Sequence, residues 1–389
     1  MKKHLFDRFV TDSLRERLEG FPIVGVVGPR QVGKTTLVRE QLFGSDTPHH
    51  YLDLENPQDL RLLDEAYDYL GARADVTVVI DEIQVRPELF TVLRPLIDAQ
   101  RRPGRFVLLG SASPALIRGA NESLAGRISY LELAPLTLAE VAGRYPASDH
   151  WLRGGYPASL RAGGELSYEW RASYIESYLT KELPGLGGVE SVDLLRRLVY
   201  MLAGQQGALL NQSGLAKSLG TSQPTVRRYV ALLEQSFLIR QLRPYAVNVR
   251  KRLVKSPKVY LRDSGLLHVL SRVETAEQLS RNIVAGASWE GYVVEQLAQA
   301  VSRRAELYFY RTHAGAEVDI VIIGRRGRMA CVEVKHSSAP SLSRGFYSAL
   351  EDLGPERAFV VAPVREAYAR DGGITVAPLT EVVEALDGW

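Results

Sequence analysis

A glycine-rich stretch near the start of the sequence has residue types and a spacing suited to binding phosphate. It reads Gly28-Pro29-Arg30-Gln31-Val32-Gly33-Lys34-Thr35 and lies between an apolar, strand-like run and a helix-like segment. In the spacing G-x-x-x-x-G-K-T, the glycines let backbone N–H groups and a helix N-terminus face phosphate oxygens. Lys34 would neutralise the β- and γ-phosphates of ATP, while Thr35, which precedes Thr36, would hold Mg²⁺. The stretch predicts a phosphate-binding loop; the alternative is an ordinary glycine-rich turn.

Two acidic residues follow a second apolar run, from Thr77 to Ile80. They are Asp81 and Glu82, placed where a buried strand of an α/β sheet would present ligands. The run resembles a Walker B element, in which Asp81 would hold Mg²⁺ through water and Glu82 would align and deprotonate the attacking water. The next strand-like run ends at Ser111, whose hydroxyl could sense the γ-phosphate, although an ordinary turn serine is the alternative.

A second set of polar residues lies near the end of the sequence. The segments 316–322 and 330–335 read as two strands of a hairpin, with Glu333 and Lys335 on one face and Asp319 beside them. Two carboxylates and a lysine suit metal-assisted hydrolysis of phosphodiesters, with Mg²⁺ or Mn²⁺ on the acids. The pattern Asp319, thirteen residues, Glu-x-Lys resembles the restriction-endonuclease-like nuclease fold. That resemblance implies Glu295, on the preceding helix, as an extra metal-binding acid.

Two alternatives remain for this second set. Proteins of this fold also occur as inactive forms that hold DNA without cutting it. Glu333 and Lys335 could otherwise form an ordinary ion pair on an exposed face.

Positive charge is concentrated in the middle of the sequence. Residues 196–262 carry 13 Lys and Arg against the single acid Glu234, a net charge of +12. Such a block is typical of a surface that binds a polyanion. Within it, a helix at 212–219, a turn at Gly220, a helix at 222–235 and a following strand have the order of a winged helix-turn-helix. A solvated basic face and a protein-contact module are the alternatives.

The second helix of this arrangement would enter the DNA major groove, and a basic wing would contact the backbone. Eight residues are predicted DNA contacts: Gln223, Thr225, Arg227, Arg228, Arg250, Lys251, Arg252 and Lys255. We expect the other basic residues between Arg240 and Arg262 to lie on the wing or near it: Arg240, Arg243, Lys258 and Arg262.

The elements that must position the first motifs alternate between strands and helices. Strand-like runs at 50–54, 76–80, 106–109 and 128–133 are separated by helix-length segments, which favours a parallel sheet covered by helices. The first domain therefore has the α/β class.

These motifs together resemble a family of prokaryotic AAA-type ATPases that join the ATPase to a C-terminal domain of unknown function. The resemblance rests on the glycine-rich loop, the acid pair and three further stretches: Tyr51-Leu52-Asp53-Leu54-Glu55, Ser123-Leu124-Ala125-Gly126-Arg127 and Leu133-Ala134-Pro135-Leu136. It implies that the strand before Ser111 lies between the two motif strands. It also implies that Arg127 is an arginine finger, in cis or from a neighbouring subunit of a homo-oligomer. A charged cap near a strand start is the alternative for Arg127.

Composition excludes several classes of protein. The sequence has no apolar run of membrane-spanning length and no N-terminal signal pattern, so we expect a cytoplasmic protein without a membrane partner. A single cysteine, Cys331, excludes an internal disulfide, and the seven histidines lack metal-ligand spacing.

The predicted organisation is an AAA-type P-loop core at 1–145, a helical lid at 146–200, a basic winged helix at 201–272 and a restriction-endonuclease-like domain at 273–389. The predicted function is a DNA-binding ATPase that uses Mg²⁺ and acts on DNA through its nuclease-like domain. A nucleotide-dependent DNA-binding switch and an oligomeric translocase or junction remodeller are the alternatives.

Overall fold

The computed structural model describes residues 5–43, 48–113, 124–246, 252–301, 304–386 and 389. Three residues singled out in the sequence, Ser123, Arg250 and Lys251, lie outside these ranges.

A five-stranded parallel sheet forms the first part of the chain. Its strands are β1 Ile23–Val27, β2 His49–Asp53, β3 Thr77–Asp81, β4 Phe106–Gly110 and β5 Ile128–Glu132. Their order across the sheet is β2-β3-β4-β1-β5. Every residue of β1 and β4 is buried, as expected for parallel strands covered on both faces. The strand before Ser111, β4, lies between β1 and β3, so the predicted strand order is confirmed.

Helices cover this sheet on both faces. They are α1 Val10–Gly20, α2 Lys34–Thr36, which continues as a π-helix Leu37–Phe43, α3 Pro57–Leu62, α4 Ala66–Gly71 and α5 Leu89–Ala99. One apolar core contains the side chains from α4 and α5 and one face of the sheet. The other core continues from the opposite face into the helices of the middle segment.

The middle segment is mostly helical. Its helices are α6 Ala147–Arg153, α7 Pro157–Ala162, α8 Gly164–Ser177, a π-helix Tyr178–Glu182, α9 Leu183–Gly185, α10 Val192–Ala203, α11 Gln212–Leu219 and α12 Gln223–Gln235. Ser222 caps α12, because its side chain accepts a hydrogen bond from the Thr225 backbone N–H. Two helices joined by a short turn therefore lie where the sequence predicts them.

An eight-stranded sheet dominates the rest of the chain. Its strands are β6 Ile239–Pro244, β7 Lys258–Leu261, β8 Glu306–Arg311, β9 Glu317–Ile323, β10 Met329–Val334, β11 Arg357–Val361, β12 Tyr368–Arg370 and β13 Ile374–Ala377. Their order is β12-β13-β11-β10-β9-β8-β6-β7. The predicted hairpin is confirmed, since β9 and β10 pair antiparallel.

The first two strands of this sheet come from the basic segment. β6 and β7 pair antiparallel, and the end of β6 pairs parallel with β8 through Arg243 and Pro244. The sheet therefore extends on both sides of residue 272, the boundary expected between the last two domains.

Five helices complete the last part: α13 Ser264–Leu270, α14 Ala276–Arg281, α15 Ala285–Val301, α16 Arg344–Leu353 and α17 Leu379–Ala385. None of the helices in the described ranges has the length and apolar character needed to span a membrane.

Candidate functional site

The glycine-rich loop connects the carboxyl end of β1 to the N-terminus of α2. A Cβ on Gly28 would collide with the Leu133 carbonyl oxygen, and Gly33 has a φ of 101°, a value that favours glycine. The Lys34 ammonium folds back into the loop and donates to the carbonyl oxygens of Gly28, at 2.9 Å, and Pro29, at 3.0 Å. Burial lowers the pKa of Lys34, and the nearby carboxylates of Glu82 and Asp81 oppose that shift. The loop has the geometry of a phosphate-binding site.

Asp81, at the end of β3, stands against the start of α2. The Thr35 hydroxyl donates to Asp81 Oδ2 at 2.7 Å, and the Tyr51 hydroxyl donates to the same oxygen. Burial, followed by the hydrogen bond to Asp81, raises the pKa of Tyr51. Hydroxyl and carboxylate oxygens are the hard ligands that Mg²⁺ prefers. The residues present therefore fit the Mg²⁺ that accompanies a nucleotide.

Glu82 and Ser111 are connected through a side chain that the sequence analysis did not select. The Gln84 amide donates to Glu82 Oε2 and, at 2.9 Å, to the Ser111 hydroxyl. Ser111 is buried, and its backbone N–H lies 3.4 Å from Gln84 Oε1. Gln84 thus holds the predicted water-orienting acid and the predicted phosphate sensor in one network.

A cavity of about 400 Å³ opens beside the loop. Besides the loop residues Arg30 to Thr36, it is lined by Phe6, Glu82 and Arg161, and Arg161 comes from α7 in the middle segment. Arg30 forms ion pairs with Glu55, after β2, and with Glu182 of the second π-helix. The space next to the loop is therefore enclosed by the ATPase sheet and the helical segment together. We call this region the P-loop site.

Arg127 lies at the other edge of the sheet. Its backbone carbonyl accepts from Ile23 N–H at the start of β1, whereas the P-loop follows the end of β1. A five-residue strand separates the two edges by about 16 Å. The Arg127 guanidinium binds Asp98 with two hydrogen bonds, of 2.7 and 2.9 Å. In this structure Arg127 therefore lies too far from the P-loop to act in cis, and its action on a neighbouring subunit remains a prediction beside the alternative of a charged cap at the start of β5.

The predicted acids and lysine of the C-terminal sheet do come together. Lys335 donates to Glu333 Oε1 at 2.7 Å, and Asp319 Oδ2 accepts from Val334 N–H at 3.0 Å. Asp319 therefore lies beside the strand that carries Glu333 and Lys335, as the hairpin predicts. The other carboxylate oxygen of Glu333 is buried and has no hydrogen-bond partner among the described residues.

The extra acid of this cluster is Glu290 and not Glu295. Glu290 accepts from Lys258 Nζ at 3.1 Å, and Lys258 also contacts Asp319 at 3.4 Å. The Glu295 carboxylate instead forms ion pairs with Arg240 and Arg262. Five positions along a helix turn the side chain by about 140°, so the two glutamates leave α15 in different directions.

The surroundings of these carboxyl groups shift their pKa values. Burial, and after it the neighbouring Asp319 charge, raises the pKa of Glu333 to about 8. The same two causes raise the pKa of Glu290, although Lys258 and Tyr260 oppose the shift. The pKa of Glu295 is lowered: burial would raise it, but Arg240 and Arg262 outweigh burial.

The arrangement does not fit a metal ion. The Lys258 ammonium stands against Glu290, Asp319 and also Glu317, at 3.4 Å, and an ammonium repels a divalent cation. Across the ranges that the structure describes, no group of three or more His, Cys, Asp or Glu side chains is arranged to hold a metal. The prediction of a metal on Glu295, Asp319 and Glu333 is therefore not met in this conformation.

Models of three protein families match consecutive parts of the chain. A model described as an AAA domain matches residues 20–142. Models described as domains of unknown function, DUF8612 and DUF4143, match residues 146–277 and 285–382. Uncharacterized protein Rv2008c of Mycobacterium tuberculosis is 42% identical over 372 residues, which cover 95% of this chain and 83% of that protein. The chain belongs to the AAA-type ATPase family with a C-terminal DUF4143 domain.

Two further similarities are more distant. An uncharacterized protein of Haemophilus influenzae is 24% identical over 176 residues, 41% of this chain and 44% of that protein. Among solved structures, the Walker-type ATPase PABY2304 of Pyrococcus abyssi is 17% identical, with a TM-score of 0.42, 69% of this chain covered and 97% of that one. The AAA-domain match and the 42% identical relative confirm the family predicted from the sequence motifs, and the AAA family model covers only the first part of the chain.

The predicted DNA contacts of this AAA-family protein are mostly exposed. Gln223, Arg227 and Arg228 lie on the surface of α12, with Arg228 bound to Glu190 at 2.8 Å, and Thr225 is partly buried. Arg252 and Lys255 are exposed as well. Arg250 and Lys251 fall outside the described residues.

Three basic residues expected near the wing instead form ion pairs with acidic residues of the same chain. Arg240, Lys258 and Arg262 pair with acids from α15, β9 and β5. Part of the net charge of +12 is therefore neutralised within the chain, because acids distant in sequence meet these residues in the fold.

Proposed function

We propose that this protein hydrolyses ATP at the P-loop site. One observation supports this above all: Lys34, Thr35, Asp81 and Glu82 meet at the carboxyl edge of β1 and β3. Ligands of open α/β sheets bind at that edge. Membership of an AAA-type ATPase family agrees with the proposal.

Each residue has a defined part in the proposed reaction. The loop N–H groups and Lys34 bind the β- and γ-phosphates, so the Lys34 ammonium must leave its two carbonyl partners when ATP enters. Thr35 and Asp81 would hold Mg²⁺, which supplies charge neutralisation at the phosphates when it is bound. Glu82 orients a water molecule and accepts its proton, while Gln84 fixes the Glu82 carboxylate and Ser111.

Replacement of Lys34 tests the proposal. We expect Lys34→Ala to abolish ATP turnover, because the variant loses the charge that binds the phosphates. Phosphate release from ATP measures turnover, and Lys181→Ala, which removes an exposed lysine of the middle segment, is the matched control. Equal turnover by the Lys34→Ala and wild-type proteins would contradict the ATPase proposal.

The second part of the proposal is that α12 binds DNA. The exposed side chains of Gln223 and Arg227, on the second helix of a helix-turn-helix pair followed by the β6–β7 hairpin, support it. We propose that Arg252 and Lys255, on the chain before β7, contact the DNA backbone. The winged-helix arrangement itself remains part of this proposal.

Salt dependence distinguishes phosphate contacts from base contacts. We expect Arg227→Ala to weaken binding to a labelled duplex and to reduce the slope of log K against log salt by about 1 if Arg227 neutralises one phosphate. Fluorescence anisotropy at several salt concentrations measures both quantities. Arg281→Ala, which removes an exposed arginine on α14, should bind like the wild type.

Nucleotide binding could control DNA binding without any cut in DNA, or could drive an oligomeric translocase or junction remodeller. For the oligomeric form we propose that Arg127 completes the P-loop site of a neighbouring subunit. Arg127→Ala would then lose ATPase activity, and mixing it with Lys34→Ala subunits would restore activity. Light scattering with and without ATP gives the stoichiometry, and Arg94→Ala is the control for the same surface.

A nuclease-like site is the second candidate function. The observation that favours it is the group of Asp319, Glu333 and Lys335 on one face of the β9–β10 hairpin. Labelled linear, single-stranded and forked DNA, incubated with Mg²⁺ or Mn²⁺ and with or without ATP, tests cleavage by the wild type beside Asp319→Ala. If the protein binds each of these DNA substrates but leaves all of them uncut, the nuclease candidate is excluded.

A further inference from the structure

The acidic cluster of the C-terminal sheet contains a cation that belongs to the chain itself. Lys258 Nζ lies 3.1 Å from Glu290 Oε1, 3.4 Å from Glu317 Oε1 and 3.4 Å from Asp319 Oδ1. Its side chain is only 5% exposed. One ammonium thus forms ion pairs with carboxylates from a helix, α15, and from a strand, β9.

Lys258 reaches the cluster from another part of the fold. It is the first residue of β7, in the basic segment, and it stands opposite Leu242 of β6. The Phe309 ring of β8 packs 5.6 Å from its ammonium. The basic segment therefore supplies the cation of this cluster.

The cluster also has an unused ligand atom. Glu333 Oε2 is buried and has no hydrogen-bond partner among the described residues, although Oε1 binds Lys335. A buried carboxylate oxygen without a donor is costly, and a metal ion would satisfy it. The carboxylates alone would attract a divalent cation, but the Lys258 ammonium already lies among them.

We propose that Lys258 occupies the position of a divalent cation and closes the nuclease-like site. While the Lys258 ammonium is in place, Glu290, Asp319 and Glu333 do not fit Mg²⁺ or Mn²⁺, because the ammonium repels a divalent cation. The inference builds on the second candidate function and concerns metal binding, whether or not DNA is cut. In this closed form the basic segment supplies the cation of the site.

Direct titration with Mn²⁺ tests the proposal on the 389-residue chain without nucleotide. We expect Lys258→Met to bind Mn²⁺ more tightly than the wild type by about tenfold or more, because the competing charge is gone. Adding Asp319→Asn to Lys258→Met should return the affinity to the wild-type value. The comparison cancels any weak binding at the P-loop site, since that site is the same in all variants.

Two further variants complete the experiment. Lys217→Met, which removes an exposed lysine on α11, should bind Mn²⁺ like the wild type. Lys258→Gln keeps a hydrogen-bond donor in the cluster, so it repeats the test if Lys258→Met fails to fold. Equal Mn²⁺ affinity of the wild type and the Lys258 variants would overturn the inference. A Lys258→Met protein that binds Mn²⁺ but leaves DNA intact would support it and at the same time remove the second candidate function.

Discussion

Glu82 has a backbone conformation that a residue with a side chain rarely adopts. Its φ of 54° and ψ of 47° lie in the left-handed region, which costs about 1–3 kcal/mol. The Asp81 side chain holds this conformation by accepting from the Glu82 N–H at 2.9 Å. Residues strained in this way cluster at active sites, which supports Glu82 as the group that orients water.

Glu82→Gln separates binding from hydrolysis at this residue. We expect ATP to bind as before, since Lys34 and Thr35 are unchanged, and turnover to fall by about 100-fold or more because the proton acceptor is lost. Binding of a fluorescent ATP analogue and phosphate release measure the two steps. Glu88→Gln, at the exposed position immediately before α5, should be unaffected. Turnover retained by Glu82→Gln would assign the general base to another residue.

At the scale of single residues, the sequence predicted the roles of residues that belong to short local motifs. Lys34, Thr35 and Asp81 belong to local patterns at strand ends, so their roles followed from chain order. Tyr51 was noticed only as part of a family motif, and Gln84 was missed, because their contacts with Asp81 and Ser111 join different strands.

The choice of Glu295 over Glu290 shows the same limit. Both glutamates lie on α15, where the Glu295 side chain is buried and the Glu290 side chain is partly buried. The sequence does not state which side of the helix faces β9. Only the packed structure decides between them.

At the scale of elements, one ion-pair group, buried at Arg262 and Glu295, joins three parts of the chain. Arg262, at the end of β7, binds Glu132 at the end of β5 and Glu295 of α15. Arg240 of β6 binds Glu295 as well, at 2.8 Å. These four residues connect the ATPase sheet, the basic segment and the C-terminal helix. We call them the junction.

Loss of Arg262 should destabilise the junction. Arg262→Met leaves Glu132 without this partner while Glu295 keeps Arg240, so we expect the free energy of unfolding to fall by about 3 kcal/mol, the lower end for a broken buried pair. Urea denaturation followed by tryptophan fluorescence measures the change. Arg281→Met, which breaks an exposed pair with Glu277, should alter stability by less than about 0.5 kcal/mol. Equal stability of the two variants would show that the junction contributes nothing.

The positions of individual strands were easier to predict from the sequence than the strands with which they pair. The P-loop strand, the acid-bearing strand and the β9–β10 hairpin follow from apolar runs and turn residues. The pairing of β6 with β8 was not predicted, because the two strands are separated by β7 and three helices, and a domain boundary was expected between them. Arg262 and Lys258 were assigned to a DNA surface for the same reason: sequence charge does not reveal a buried partner.

At the scale of the whole molecule, two buried histidines tie the middle segment to its neighbours. His150 Nδ1 lies 2.8 Å from the Tyr292 hydroxyl and Nε2 lies 2.8 Å from the Leu136 carbonyl oxygen. His268 contacts the Leu152 carbonyl oxygen and the Ser288 hydroxyl, at 2.9 and 2.7 Å. Burial lowers the pKa of each imidazole to about 4.

These shifts predict a loss of stability in mild acid. An unfolded histidine has a pKa of about 6.5, so between pH 6.5 and 4 the unfolded chain binds protons that the folded chain does not. The stabilisation is complete above about pH 6.5 and falls by up to about 1.4 kcal/mol per pH unit for each histidine as the pH drops. Urea unfolding at several pH values measures the slope.

A double variant isolates the contribution of the two histidines. We expect His150→Gln combined with His268→Gln to be less stable at neutral pH but to lose stability less steeply between pH 6.5 and 5. His313→Gln, at an exposed position, should keep the wild-type slope. A double variant with the wild-type slope would place the acid sensitivity elsewhere.

The pairing of β6 with β8 has a consequence for dissecting the protein into pieces. A fragment that begins at residue 273 would lack β6 and β7, leave the backbone of β8 unpaired along that edge and lose the lysine that neutralises Glu290 and Asp319. Open strand edges invite association between molecules. Such a fragment should therefore aggregate, whereas a piece that starts ahead of residue 239 retains the complete sheet. Limited proteolysis is expected to leave the β6–β7 hairpin attached to the C-terminal strands.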